Sequence, residues 1–173
     1  MAARSLLIFA ARFLHLAGCT TLVFASLLTT AGCSTESSGT LPIETFHLNG
    51  MPLTTELALT QDHRFRGLSG RESLPVNRGM LFVFQNEAPR SFVMRDCLMP
   101  IDIAFIDASG HVVNVHRMTL DPPGTPEHKL TLYKSNRPAL MALELAAGGL
   151  DRYGLKPGVK TAFPLLKLKR RAR

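Results

Sequence analysis

Between Pro42 and Leu166 the chain is broken into short apolar runs bounded by turn residues, and no long amphipathic helical stripe interrupts them. Runs at Pro42–Leu48, Leu53–Leu59, Met80–Phe84, Phe92–Arg95, Ile101–Asp107, His111–Arg117, Leu130–Tyr133, Leu140–Leu145 and Val159–Leu166 read as strands of modest length. Many short strands in a chain of 173 residues predict one mainly β domain, a small barrel-like or sandwich fold. Two turns are explicit. Asn49-Gly50 suits a hairpin needing positive φ, and in Asp107-Ala108-Ser109-Gly110 the aspartate can cap the turn while the glycine takes its left-handed position. Thr60 is an N-cap for a short helix through Arg66, with Asp62 in its first turn and Gly67 as the stop. A second short helix is expected within Leu145–Gly154, and Asp121–Pro126 reads as a proline-rich loop.

Ahead of this body, Arg4 and Arg12 precede an uncharged stretch from Phe13 to Gly32 containing Leu22-Val23-Phe24-Ala25-Ser26-Leu27-Leu28. A basic n-region followed by an apolar h-region is the pattern of a secretory signal, here over residues 1–32. Thr29-Thr30-Ala31-Gly32-Cys33 resembles the lipobox of bacterial lipoproteins, with Thr30 where leucine is more usual. The resemblance implies that Cys33 is lipidated after cleavage and anchors the protein to a membrane. Ser34 beside it implies transfer to the outer membrane. Residues 33–40 then read as the lipidated cysteine and a flexible polar tether. Processing at Cys33 leaves only Cys33 and Cys97 in the mature chain, so no intramolecular disulfide is expected.

The formal charge of +7 would suggest an anionic partner. However, two basic residues lie in the signal and five crowd residues 167–173, leaving 13 basic against 13 acidic residues between them. No nucleic-acid partner is expected. Lys167, Lys169, Arg170, Arg171 and Arg173 form a basic tail, read either as a solvated, frayed terminus or as a contact for anionic lipid. His47, His63, His111, His116 and His128 show no ligand spacing, and no metal site is expected. There is no Gly-rich phosphate loop, Gly-x-Ser-x-Gly elbow or His-Glu-x-x-His, and no cofactor is expected. Cys97 lies between Asp96 and Leu98 with no sequence-local base, which favours an inert thiol over a nucleophile.

Arg66–Leu74, Arg78–Phe84 and Phe92-Val93-Met94-Arg95-Asp96-Cys97-Leu98-Met99-Pro100-Ile101-Asp102-Ile103-Ala104-Phe105-Ile106-Asp107 together resemble the DUF192 family, and the likeness continues through Gly110–Val113 and Leu143–Gly148. The resemblance implies a small, mostly β, barrel-like domain over residues 41–166, often exported, without an agreed activity. That family's usual segment reads Phe-Trp-Met-Lys-Asn-Thr. Val93 here replaces the tryptophan, and Asp96 and Cys97 replace an amide and a hydroxyl, changing charge and hydrogen-bonding capacity.

Pro100 interrupts the run, so Met94–Met99 should bend before the strand from Ile101. Such a bend can aim Arg95, Asp96 and Cys97 at one mouth of the fold, with Arg66 and Arg71 converging there. Arg66, Arg71, Met94, Arg95, Asp96, Cys97 and Asp102 are therefore the candidate ligand-binding residues of a small anionic or polar pocket; alternatively, Arg95 and Asp96 pair with Arg71 and backbone groups simply to fix the bend. The leading expectation is a lipid-anchored periplasmic binding or accessory domain. The alternatives are an envelope hydrolase or transferase built on Arg71, Asp96, Cys97 and Asp102, and a structural envelope protein.

Overall fold

The computed structural model describes residues 40–173, which belong to one compact unit. The expected signal, Cys33 and most of the tether lie outside the described residues.

Six strands form one mixed sheet: β1 (Ile43–Leu48), β2 (Met51–Ala58), β3 (Arg78–Phe92), β4 (Ile101–Ile106), β5 (Val112–Met118) and β6 (Tyr133–Ala146). Their order across the sheet is β1-β2-β3-β6-β4-β5. β2 and β3 run parallel, joined by a crossover holding α1 (Gln61–Arg66), and all other neighbours are antiparallel. Two further short helices follow β6, α2 (Gly149–Arg152) and α3 (Leu165–Lys169). The fold is mainly β, as expected, but the sheet is open, with β1 and β5 as its edges.

Alternation along the central strands explains why they read as continuous apolar runs. Leu81 and Val83 of β3, Ala104 and Ile106 of β4, and Leu143 and Leu145 of β6 share one core with Leu150, Tyr153, Phe163 and Leu168. The intervening Met80, Phe82, Ile103, Phe105 and Ala142 share a second core with Leu68, Leu74, Met94 and Tyr133. Both sheet faces are thus covered, and every residue of β4 is buried. A side chain such as Phe105, with no exposed surface, contributes about 1.5–3 kcal/mol through burial.

The local turn readings hold. Asn49 and Gly50 both have positive φ, 49° and 75°, and Leu48 pairs with Met51 across the hairpin. Asp107 Oδ1 accepts from the Ser109 and His111 amides at 2.9 Å each, and Gly110 has φ 88°. Thr60 accepts from the His63 amide at 3.2 Å, and Gly67 ends α1.

Three expectations are corrected. The run at Met80–Phe84 lies in a fifteen-residue strand that ends at Phe92, leaving Val93–Arg95 outside it, and Leu140–Leu145 lies in one of fourteen that begins at Tyr133, leaving Leu130–Leu132 outside. Beyond Val83 the ladder shifts register twice, with Pro89 opposite Pro138, so prolines that lack an N–H sit where the ladder is already irregular. Val159–Leu166 is not a strand; it makes a single bridge, His111 to Lys160, and Pro164 starts α3. Residues 167–173 are not a frayed tail. Leu168 and Ala172 are buried in the core, Arg171 pairs with Glu44, and the Arg173 amide donates to the Leu59 carbonyl at 2.8 Å.

Candidate functional site

Two segments are stitched together on the face that holds the second core. The loop after α1 and the bend at residues 94–97 are joined by the Gly70 amide donating to the Asp96 carbonyl at 2.8 Å and by the Ser69 hydroxyl donating to the Arg95 carbonyl at 2.7 Å. Asp96 takes a left-handed φ of 51°, and the Cys97 amide closes the bend on the Met94 carbonyl. Aspartate tolerates that conformation better than most side chains. Between these segments and the outer part of β3 lies a cleft of about 420 Å³, lined by α1 and its loop from Gln61 and Arg64 to Ser69, by Phe82, Phe84 and Pro89–Val93, and by Arg95, Cys97 and Glu144. That volume falls in the usual range for small-molecule sites.

The expected convergence is partial. Arg66, Arg95 and Cys97 do line the cleft. Asp96 faces an adjoining depression of about 370 Å³ that it shares with Asp62, Phe65, Arg66, Ser69 and Arg95. Met94 is buried in the core. Arg71 is held elsewhere by a two-pronged bond to Glu56 of β2, 2.6 Å to each carboxylate oxygen. This pairing raises the Arg71 pKa and lowers that of Glu56. Asp102 is on the opposite face. There it is 1% exposed and accepts from the Leu150 amide at 3.0 Å, so the Arg71, Asp96, Cys97 and Asp102 set does not come together in one place. The bend is fixed not by Arg71 but by backbone bonds and by Arg95 pairing with Glu127.

The cleft is rich in positive charge. Arg95 donates Nε to Glu127 at 2.8 Å and lies 4.3 Å from the centre of the Phe65 ring. Arg64 and Arg90 both stack on Phe84, at 5.4 and 3.9 Å, and donate mainly to carbonyl groups: Arg64 to Leu59 and Val83, Arg90 to Ala139 and Asn86. Burial, and then the charge of Arg64, lowers the Arg90 pKa. Neither Arg66 nor Arg90 has a carboxylate partner among the described residues. Cys97 is held as the neutral thiol. Burial first, then the negative charges of Glu144 and Asp96, push its pKa up to about 11 against the opposing effect of Arg95.

Glu144 is a candidate site residue that the sequence reading did not single out. It lies on β6 in a lateral row with Glu56 of β2, Met80 of β3 and Ile103 of β4. It is 5% exposed, its Oε2 is fully buried without a hydrogen-bond partner, and it reaches the cleft. Burial pushes its pKa up to about 8, opposed by Arg71, so at neutral pH it is mostly the uncharged acid and can both donate and accept a hydrogen bond. The available signal was one acidic residue inside the otherwise apolar run Leu140–Leu145. In a strand buried on both faces such a residue needs a partner or a function.

A mixed sheet covered on both faces, with an arginine-lined cleft over one of them, defines a small α+β domain with a ligand-sized site. The chain belongs to the DUF192 family, described as an uncharacterized ACR, whose match spans residues 44–163. Among solved structures it is similar to a protein of Sinorhizobium meliloti 1021 provisionally described as a transcription regulator, at 28% identity and TM-score 0.59, over 70% of this chain and 94% of that one. It is also similar to a protein of unknown function from Novosphingobium aromaticivorans DSM 12444, at 27% identity and TM-score 0.59, over 74% and 89% of the two chains. No curated protein matches this chain.

Proposed function

We propose that this is a lipid-anchored envelope protein whose folded domain holds a small organic anion in the cleft between α1 and β3. The observation that carries the binding reading is Glu144, a buried carboxyl with an unpartnered oxygen at a cleft ringed by Arg64, Arg66, Arg90 and Arg95. An unpaired buried polar group costs about 1–3 kcal/mol, and a turn of the carboxyl that brings this oxygen to a ligand in the cleft removes that cost. An anionic group near Arg66 and Arg90 also relieves the crowding of like charges. Phe82, Phe84 and Phe92 supply apolar walls for the rest of the molecule. The anchor reading rests on the basic and apolar signal and on Thr29–Cys33.

Native mass spectrometry of the protein purified gently from its own envelope, compared with its denatured mass, tests the binding reading. A reproducible extra mass that is lost in Glu144→Leu protein supports it, and a bare native mass overturns it. Incorporation of labelled palmitate that depends on Cys33 tests the anchor separately.

A further inference from the structure

The segment Leu165–Arg173 packs one side into the core and leaves the other side basic. Leu168 and Ala172 are buried, while Leu166, Lys167, Lys169, Arg170 and Arg173 are exposed, Leu166 to 73%. The segment is pinned by Arg171 pairing with Glu44 and by the Arg173 amide on the Leu59 carbonyl, with Lys167 3.9 Å from the same Glu44. Lys169, Arg170 and Arg173 make no ion pair among the described residues. A large apolar side chain is thus fixed among cations on a surface that cannot fray away.

Glu44 is the second residue of β1, so this patch sits where the chain enters the domain. Nine residues lie between Cys33 and Ile43, and the ten steps along the chain reach at most roughly 36 Å when extended. An anchor at Cys33 would therefore keep the patch close to the bilayer.

We infer that the face formed by Leu165–Arg173 docks on an anionic lipid surface, with Lys169, Arg170 and Arg173 against the headgroups and Leu166 inserted at their level. Charge complementarity selects anionic over zwitterionic lipid, and a basic amphipathic face with one exposed leucine fits the interface plane of a bilayer. The inference relies on the anchor reading only for the reach of the tether.

Its test uses residues 40–173, one compact unit without Cys33, so failure of the anchor in cells and failure of the patch on vesicles are separate results. The unit is sedimented with phosphatidylcholine vesicles with and without phosphatidylglycerol. The expected result is binding only when phosphatidylglycerol is present, lost near 1 M salt where charges are screened within about 3 Å. A Lys169→Glu, Arg170→Glu double variant should weaken binding at least about twentyfold, counting roughly fivefold per basic residue lost. Leu166→Glu should weaken it as well, and both variants should keep the thermal midpoint of the parent because these side chains are exposed. Equal binding to both lipid compositions, no binding to either, or unchanged binding of the folded variants overturns the inference.

Discussion

The two faces of the central sheet each bury a carboxyl group and treat it differently. On one face Asp102 accepts from the Leu150 amide at the start of α2, and Leu150, Phe163, Leu168 and Ala172 close over the strands around it. On the other, Glu144 has an unpartnered oxygen, and the cover of loop and bend residues leaves a cleft. Asp102 and Glu144 lie in adjacent cross-strand rows, Asp102 opposite Leu145 and Glu144 opposite Ile103. The contrast shows how one sheet separates a hydrogen-bonded carboxyl from one that borders a cleft: a single residue of offset decides which face, and therefore which environment, each group meets.

Four changes probe that contrast. Leu168→Ala on the closed face should cost about 2–5 kcal/mol in urea unfolding, because a fully buried side chain leaves a cavity between the last helix and the strands. A loss near zero would mean that this cover contributes little. The next effect depends on pH. Folded Glu144 keeps its proton up to about 8, whereas in the unfolded chain it ionises near 4.5. The contribution of the protonated group is fully present below the unfolded value and is lost as pH rises through the folded one. Stability should therefore fall across this window, with a slope on the order of 1.4 kcal/mol per pH unit from this group alone. Glu144→Gln should flatten that slope and be the more stable protein at pH 8, as measured by unfolding at pH 5, 6.5 and 8; an unchanged slope would place the titration elsewhere. Asp102→Ala should cost about 1–3 kcal/mol by stranding the Leu150 amide, and should leave any bound mass in native spectra unaltered. The smallest effect on stability is expected for Arg95→Ala, whose pair with Glu127 is exposed. Its thermal midpoint should barely move while the retained mass is lost, the reverse of the Asp102 result.

Much of the fold was legible because its turns are chemically explicit. Asn49-Gly50, Asp107–Gly110 and the Thr60–Gly67 helix are fixed by residues within a few positions of one another. The lengths of β3 and β6 were not, since Gln85, Asn86 and Glu87 look like a turn until two strands pair beyond the edge of the core. Val159–Leu166 has strand-like residues, but Pro164 and the packing of Leu165 and Leu168 make its end helical. At the site, the bend that carries Arg95 and Cys97 was readable from Pro100 and the spacing around it. The choice of Glu56 by Arg71, and the placement of Glu144 beside the cleft, depend on which strands become lateral neighbours, and no local pattern encodes that order.

The docking of the last residues against the first strand has a consequence for how the chain reaches its native state. Glu44 is paired by Arg171, and the Leu59 carbonyl is capped by the Arg173 amide, so the ends of the domain complete each other. The loop that must close spans nearly the whole domain, and such distant contacts make folding slow relative to chains with local pairing. A partly synthesised chain lacks the segment that seals the closed face. It therefore stays short of its stable form until synthesis has delivered Leu168 to Arg173, and the same few residues set the timing of folding.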